Sequence, residues 1–446
     1  MPIIADFHIH SKYSRATSGD MDLEHLEQWA KIKGIKVLGT GDFTHPAWFK
    51  ELFFKLEPAE KGLFKFKEAA RTSTRRVKNG NDLNWYAPPK KAEDIRFMLT
   101  TELSCIYSKN GRTRKIHLMI FAPSFEFVEK FNTHLGWMGN LKADGRPILG
   151  IDAKEIAKIA LNLSAEAFIV PAHIWTPWFS LFGSMSGFNT IEECFEEYSR
   201  YIYALETGLS SDPAMNWRVS RIDGITLISN SDSHSPHRIG REANMFEGRE
   251  LSYKKITEAI RLGARAPESN LLRMTGTVEF FPEEGKYHYD GHRACKIVFG
   301  PEESKKHKNI CPVCNRPLTI GVMNRVEELS DPERPDGFEA KGALPFLSLI
   351  PLEEIIADAL GMGVGTKGVE HEYEELINHF SNEFEILINA SKSELEGVTK
   401  QEIAEGIIRV REKRIKIEPG YDGEYGKIKI FNDGEQKNFS KQASLF

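Results

Sequence analysis

Two imidazoles one residue apart, His8-Ile9-His10, stand at the end of the first apolar run of the chain. In an extended segment residues i and i+2 share a face, so both rings converge on one site while Ile9 packs behind them. The pattern then repeats. Asp42 closes the run 37–41, Glu102 lies within 99–104, His117 within 115–119, His173 ends 169–172, and Asp232-Ser233-His234 follows 225–229. Such a side chain in a buried strand is costly unless it is paired or bound to metal. Several at one rim make a catalytic mouth. His8, His10, Asp42, Glu102, His117, His173, Asp232 and His234 give eight N and O donors. One divalent ion takes about four to six, so the count calls for two or three ions sharing a carboxylate. Glu102, central and alone in its run, is the candidate bridge. Imidazole mixed with carboxylate suits Zn, Mn or Fe and is too rich in nitrogen for Mg or Ca. His45 reads equally as an extra ligand or a supporting group.

A second constellation lies further on. His292-x2-Cys295 and Cys311-x2-Cys314, fifteen residues apart, have the spacing of paired zinc knuckles. Four protein ligands close such a site, so its expected role is structural. The five cysteines are odd in number and sparse, which fits a reducing cytosol better than a disulfide framework.

The elements that must carry these residues follow from periodicity. Apolar, β-branched runs at 3–9, 35–40, 97–106, 116–122, 167–172, 202–206 and 225–230 alternate with amphipathic helical stretches. This predicts an α/β domain with a largely parallel sheet, either a closed or distorted barrel of seven strands or an open sheet. Asn110-Gly111 is a hairpin signal between the third and fourth runs, making these two antiparallel. A two-residue loop puts residue 104 opposite 117, which brings Glu102 diagonally beside His117 on one face. Residues 58–95 form a polar insertion with Arg71, Arg75, Arg76 and Lys78, a solvated loop or a nucleic-acid contact. Residues 268–345 read as a small metal-pinned module, and 346–415 turn helical. The chain has 446 residues, 41% apolar and 28% charged, with a net charge of −5. Two or three domains with sizeable cores are expected, and a disordered chain or a uniformly basic DNA binder is excluded. No apolar stretch is long enough for a signal or a membrane span, which predicts a cytoplasmic protein.

In combination, His8-x-His10, the Asp42 run, Glu102, His117, Pro171-Ala172-His173 and Ser231-Asp232-Ser233-His234 resemble the PHP superfamily, named for polymerase and histidinol phosphatase. All pieces stand in the family's order over residues 1 to about 265. The resemblance implies a distorted (β/α)7 barrel, a trinuclear metal site and phosphoester hydrolysis. The chain departs from the pattern at two places. Ser14-Arg15-Ala16 stands where many members have Ser-Asp-Gly, and Gly41-Asp42-Phe43 where they have Thr-Asp-His. Each change removes a donor for the third ion and leaves Arg15 as a candidate for holding a substrate phosphate.

The PHP barrel, the Cys–His module and the segment Pro419-Gly420-Tyr421-Asp422-Gly423-Glu424-Tyr425-Gly426 come in an order similar to that of the endonuclease Q family, over most of residues 1–430. That family nicks DNA on the 5′ side of deaminated bases (deoxyuridine, deoxyinosine, xanthine) and of abasic sites. The implied parts are a catalytic barrel (1–267), a zinc-binding module (268–345), a mainly helical DNA-associated domain (346–431) and a tail (432–446). The resemblance implies two to three divalent ions in the barrel, Zn before Mn or Fe, with added Mg or Mn able to support activity, and one structural Zn. It apportions one ion to His8, His10, Asp232 and Glu102, a second to Glu102, His117 and His173, and a third to Asp42 and His234. A lesion must be read by flipping it into a pocket. Trp175, Trp178 and Phe179 are candidate walls, with core packing as their alternative, and Arg15, Arg112 and Arg114 are candidate phosphate contacts. Gly361 to Gly368 offers a glycine-rich backbone to phosphate or a plain linker. Gln442, Ser444, Leu445 and Phe446 are similar to the bacterial sliding-clamp motif, which implies a clamp partner at the nucleoid. Two rivals remain: a PHP enzyme acting on small phosphomonoesters or as a 3′ exonuclease, and a non-catalytic, clamp-tethered DNA-binding adaptor.

Overall fold

The computed structural model describes residues 2–70, 89, 93–432 and 435. The basic cluster at Arg71, Arg75, Arg76 and Lys78 and the terminal Gln442, Ser444, Leu445 and Phe446 lie outside them. In chain order the strands of the first half are β1 (Ile3–Asp6), β2 (Ile35–Gly39), β3 (Leu56–Pro58), β4 (Phe64–Phe66), β5 (Arg96–Met98), β6 (Thr100–Lys109), β7 (Arg112–Phe121), β8 (Ile148–Leu149), β9 (Phe168–Pro171), β10 (Ala204–Glu206) and β11 (Thr226–Ile228). Then come β12 (Ala243–Gly248), β13 (Leu272–Glu279), β14 (Asp290–His292), β15 (Ile297–Phe299), β16 (Phe346–Ser348), β17 (Lys416–Glu418) and β18 (Lys427–Lys429). Each of the seven apolar runs yields a strand. The main helices are α1 (Leu23–Lys33), α2 (Pro46–Lys55), α3 (Phe125–Gly136), α4 (Ala153–Leu163), α5 (Tyr253–Leu262), α6 (Leu352–Leu360), α7 (Lys367–Phe380) and α8 (Gln401–Arg411).

Local chemistry sets the helix limits. Asp22 accepts from the His25 N–H to start α1, and Gly34, at φ 89°, ends it. Ser252 caps α5, which buries Ile256, Ala259 and Ile260 on one face.

The fold is mixed α/β, but the described strands make no closed barrel. They form an eight-stranded sheet in the order β16-β13-β12-β1-β2-β5-β4-β3, a four-stranded sheet β8-β6-β7-β9, and a separate pair β10-β11. The large sheet is itself mixed, because β12 runs antiparallel to both β1 and β13. The break between β11 and the large sheet is polar. There, side-chain amides replace ladder bonds. Asn230 Oδ1 accepts from the Phe7 N–H at 2.8 Å, and Asn244 both accepts from the Ser229 N–H at 3.0 Å and donates to the Ser229 carbonyl at 2.6 Å. These amides satisfy buried backbone groups that a neighbouring strand would otherwise take.

The second half packs back on the first. Arg325 donates to the carbonyls of Phe182 and Phe188 and to Asn189 Oδ1, fastening the 182–189 loop. Glu383, against α6 and α7, receives the buried Lys33 of α1 at 2.7 Å and the Leu352 N–H at 3.1 Å. The β14–β15 hairpin meets the 419–424 turn where Asp422 accepts from the Arg293 N–H and from Thr319 Oγ1. Among the described residues no helix is long and apolar enough to cross a membrane.

Candidate metal centre

The β6–β7 hairpin turns through Asn110 and Gly111, both at positive φ (54° and 70°), as a two-residue primed turn requires. Its register pairs Ser104 with His117. Glu102 is therefore diagonal to His117, and its Oε1 lies 2.7 Å from His117 Nδ1. The same oxygen is 3.0 Å from His173 Nε2. The other, Oε2, faces His10 Nε2 at 3.3 Å and His8 Nε2 at 3.5 Å. Asp232 Oδ1 completes that side, 3.1 Å from His10 Nε2 and 3.6 Å from His8 Nε2. Two donor groups result: His8, His10, Glu102 and Asp232, and Glu102, His117 and His173, each gathering its ligand atoms within 4.8 Å of one another. One carboxylate belongs to both.

Three of these donor atoms, His8 Nε2, His10 Nε2 and Asp232 Oδ1, are buried and make no hydrogen bond. Orphaned polar atoms aimed at one another cost free energy unless a further group takes them up. A divalent cation fits this donor set in number, type and direction. His173 (φ 29°) and Asp232 (φ 46°) also hold left-handed backbone conformations as the chain leaves its strands, a strain common where a site over-determines geometry.

Electrostatics agrees. Burial pushes the Glu102 carboxyl up, but His117, Arg146 and His8 outweigh it and hold it well below the usual range. For Asp232, His8 and His10 overcome burial in the same direction. Burial works against charge on His8 and His10 too, yet the surrounding carboxylates lift both imidazoles well above their ordinary value. His117 differs, being pushed down to about 4 by burial. A dication entering such a cluster displaces protons, so its binding is linked to pH.

Other expected residues take different places. Asp42 stands behind the centre rather than in it. Its Oδ1 pairs with His10 Nδ1 at 3.0 Å, while Oδ2 accepts from the Ser11 N–H, the Ser11 hydroxyl and the Ser14 hydroxyl. With both oxygens engaged it orients His10. His234 lies outside both donor groups, its ring 4.5 Å from that of His10 and its Nδ1 3.0 Å from the Asp232 carbonyl. His45 stacks on Tyr13 at 4.4 Å. Trp175 is core: it is fully buried, with its indole N–H donating to Asn216 Oδ1. Trp178 is partly exposed against Tyr287, and Phe179 packs 4.7 Å from the His117 ring. Arg114 is buried, donating to the Gly187 carbonyl beneath the Phe188 ring, and is not free for phosphate. Arg112 sits at the hairpin tip, five residues or roughly 17 Å along β7 from His117. Arg15 is exposed beside the mouth, paired with Asp144 at 3.3 Å.

Two residues of the site escaped the sequence reading. Glu206, at the end of β10, is fully buried. It holds His8 Nδ1 at 3.0 Å and accepts from the His173 N–H at 2.8 Å and from Asn230 Nδ2 at 2.9 Å. A carboxylate ending an apolar run was the available signal. Arg146, on the loop before β8, donates from Nη1 to Glu102 Oε2 at 2.9 Å, and no spacing pointed to it.

Away from this mouth, His292, Cys295, Cys311 and Cys314 bring their ligand atoms within 4.8 Å of one another. Each ligand pair, His292/Cys295 and Cys311/Cys314, is followed by a left-handed residue, Lys296 (φ 55°) and Asn315 (φ 58°). Burial raises the Cys311 thiol, but the N–H groups of Cys314 and Val313 outweigh it and bring it down to about 7. A thiol so poised is a ready thiolate ligand.

Fold and site together define an α/β protein with a two-lobed histidine–carboxylate centre sharing one glutamate. Comparison places it among known proteins. The crystal structure of the lesion-specific endonuclease PfuEndoQ from Pyrococcus furiosus superposes with a TM-score of 0.80 at 29% identity, covering 96% of this chain and 95% of that one. An endonuclease Q in complex with a 27-mer duplex carrying an abasic lesion at its active site gives 0.79 at 29%, over 97% and 98%. In sequence, the uncharacterised protein MJ0043 of Methanocaldococcus jannaschii is 37% identical over 318 residues, 68% of this chain, which spans only 38% of that relative's length. The uncharacterised protein YqxK of Bacillus subtilis is 26% identical over 96% of this chain and 99% of its own. Residues 351–414 match the MJ0043 C-terminal domain family. These likenesses are consistent with an endonuclease Q family assignment.

Proposed function

We propose that this chain is a metal-dependent DNA repair endonuclease that hydrolyses the phosphodiester 5′ of deaminated bases (deoxyuridine, deoxyinosine, xanthine) and of abasic sites. The observation that carries the reading is Glu102, one carboxylate turned with separate oxygens to two donor groups. It lies in a chain that matches an endonuclease bound to abasic-lesion DNA over nearly its whole length. Two divalent ions, Zn before Mn or Fe, would be held by His8, His10, Glu102 and Asp232 and by Glu102, His117 and His173. Bound there, they supply Lewis acidity, which activates water and neutralises phosphate charge. The chain's own residues do the rest. Asp42 and Glu206 fix the Nδ1 of His10 and His8, so that each presents Nε2 to the centre. The buried His8, His10 and Glu102 act in a low-dielectric setting, where charge interactions are stronger than in water.

Trp178 and Phe179, between the centre and Tyr287, are the walls we assign to the flipped nucleotide. Arg15 is the phosphate contact we retain from the sequence. The Cys3His group is assigned one structural Zn, and the glycine-rich stretch from Gly361 to the start of α7 a duplex-backbone contact. We divide the chain into the catalytic part (1–267), the zinc module (268–345), the helical part (346–431) and the tail (432–446) that would engage a sliding clamp. The setting is the cytoplasm, at the nucleoid.

The test is direct. The protein with added Mn or Mg is incubated with end-labelled duplexes bearing one deoxyuridine, one deoxyinosine, one abasic site or no lesion. Incision immediately 5′ of the lesion, lost in His8→Ala and Asp232→Ala, is the expected outcome. No incision of any duplex at full metal loading overturns the reading. Turnover of a free phosphomonoester would then select a small-molecule phosphatase, and DNA binding without cutting an adaptor.

A further inference from the structure

The donor inventory of the sequence calls for two or three ions, yet the structure assembles two donor groups, and a third positive charge is already built into the mouth. Arg146 Nη1 lies 2.9 Å from Glu102 Oε2, the oxygen turned to His8 and His10. Its charge is further stabilised by Asp232 and Asp42. Space beside Asp42 is closed. The loop that carries Arg146 is pressed so hard on it that a Cβ on Gly145 would fall 2.3 Å from Asp42 Oδ2 and 2.4 Å from Ser14 Oγ. The loop is fastened on both sides, by the Gly145 N–H to the Tyr13 carbonyl at 2.9 Å and by Asp144 to the Arg15 and Arg146 N–H groups. Asp42 itself has both oxygens engaged. Arg146 is still reachable. Its side chain keeps 28% of its surface open, and among the described residues neither Nε nor Nη2 has a partner.

A guanidinium held on one nitrogen by a buried carboxylate, with two further nitrogens free toward solvent, is preorganised for a tetrahedral oxyanion. We propose that Arg146 contacts the substrate directly, donating from Nε and Nη2 to a non-bridging oxygen of the scissile phosphate, and that the centre holds two ions with this arginine as its third positive charge. The inference rests on the endonuclease reading above. The contact makes and breaks no covalent bond. Its contribution is charge placed where the phosphorane develops.

The experiment uses the full chain as wild type, Arg146→Ala and Arg146→Lys. Metal content is counted by inductively coupled plasma mass spectrometry, and inorganic phosphate serves as an equilibrium probe on the metal-loaded protein. Wild type and both variants are expected to hold the same three ions per chain, two at the mouth and one at the Cys3His group. Arg146→Ala should bind phosphate about ten times more weakly and cut a lesion duplex about 10²–10³ times more slowly in single turnover. Guanidinium chloride at non-denaturing concentration should recover part of that rate in Arg146→Ala and none in His8→Ala. Arg146→Lys should retain part of the phosphate affinity. A fourth ion in wild type, loss of an ion from Arg146→Ala, or unchanged phosphate binding would each overturn the proposal. A wild type that binds phosphate through Arg146 but cuts no lesion duplex would instead remove the endonuclease reading and leave the arginine's role standing.

Discussion

Glu206 and Asp42 show how much of the centre is decided by residues that need not touch a metal. Each holds the Nδ1 of one imidazole of the His8/His10 pair, at 3.0 Å in both cases, and so fixes which nitrogen points inward. Glu206 does more, because its second oxygen also receives the His173 N–H and thereby links ligands of the two donor groups. Replacing it with Gln keeps the size and one acceptor oxygen but removes the charge that raises His8 basicity. Glu206→Gln is expected to weaken metal affinity at the mouth by about 10–100-fold with an unchanged far-ultraviolet spectrum. Competition against a calibrated chelator reads this, and an unchanged affinity would show that Glu206 merely fills space. At this scale the sequence was partly legible. Position at the end of an apolar run marks His8, His10, His173 and Asp232, and the hairpin register adds Glu102 and His117. It does not distinguish a carboxylate that faces the centre from one that backs an imidazole. Asp42 and Glu206 each end an apolar run as Asp232 does, and only the direction of His10 and His8 Nδ1 separates them from it.

The β6–β7 hairpin is the element from which the bridging geometry follows, and its register was the most legible feature of the fold. A two-residue turn at Asn110-Gly111 fixes every pair back to Thr100 and Phe121, so that a choice made at the tip sets Glu102 beside His117. Gly111 is at φ 70° and a Cβ there would meet nothing within 4 Å. Its cost on substitution is therefore backbone strain alone. Gly111→Val is expected to lower stability by about 1–2 kcal/mol in urea denaturation, with the m-value and the metal content unchanged. A loss of ions would mean that the register had slipped. Strands β12, β3 and β4 were less legible. In β12 the alternation is interrupted by Asn244, which is buried because it closes the seam to Ser229 and Asn230. A polar residue turned inward to satisfy backbone groups reads in sequence as a residue turned outward.

Across the whole molecule, side-chain amides join β11 to the large sheet where hydrogen-bonded strands stop, and that seam lies directly behind the metal centre. Asn230 serves both, bonded to the Phe7 N–H on one side and to Glu206 on the other. The polar layer continues to Glu279, which accepts from Thr207 Oγ1 at 2.9 Å and Ser229 Oγ at 3.0 Å, and to Glu242, also fully buried. Burial pushes Glu279 up to about 8, and for Glu242 burial together with the charge of Glu279 pushes the same way. An acid raised in the folded state keeps its proton when the unfolded chain has lost it. Between the ordinary Glu value of roughly 4.3 and about 8 the folded state therefore binds more protons, and stability falls as pH rises through that window. Gln is an isostere of the protonated acid and removes this titration. The Tm of wild type should drop by a few degrees more between pH 5 and pH 8 than that of Glu279→Gln, measured by calorimetry with the same metal loading. The variant should match wild type near pH 5 and exceed it at pH 8. Equal slopes would show that Glu279 does not hold its proton through this window and would uncouple the polar seam from the stability of the centre in front of it.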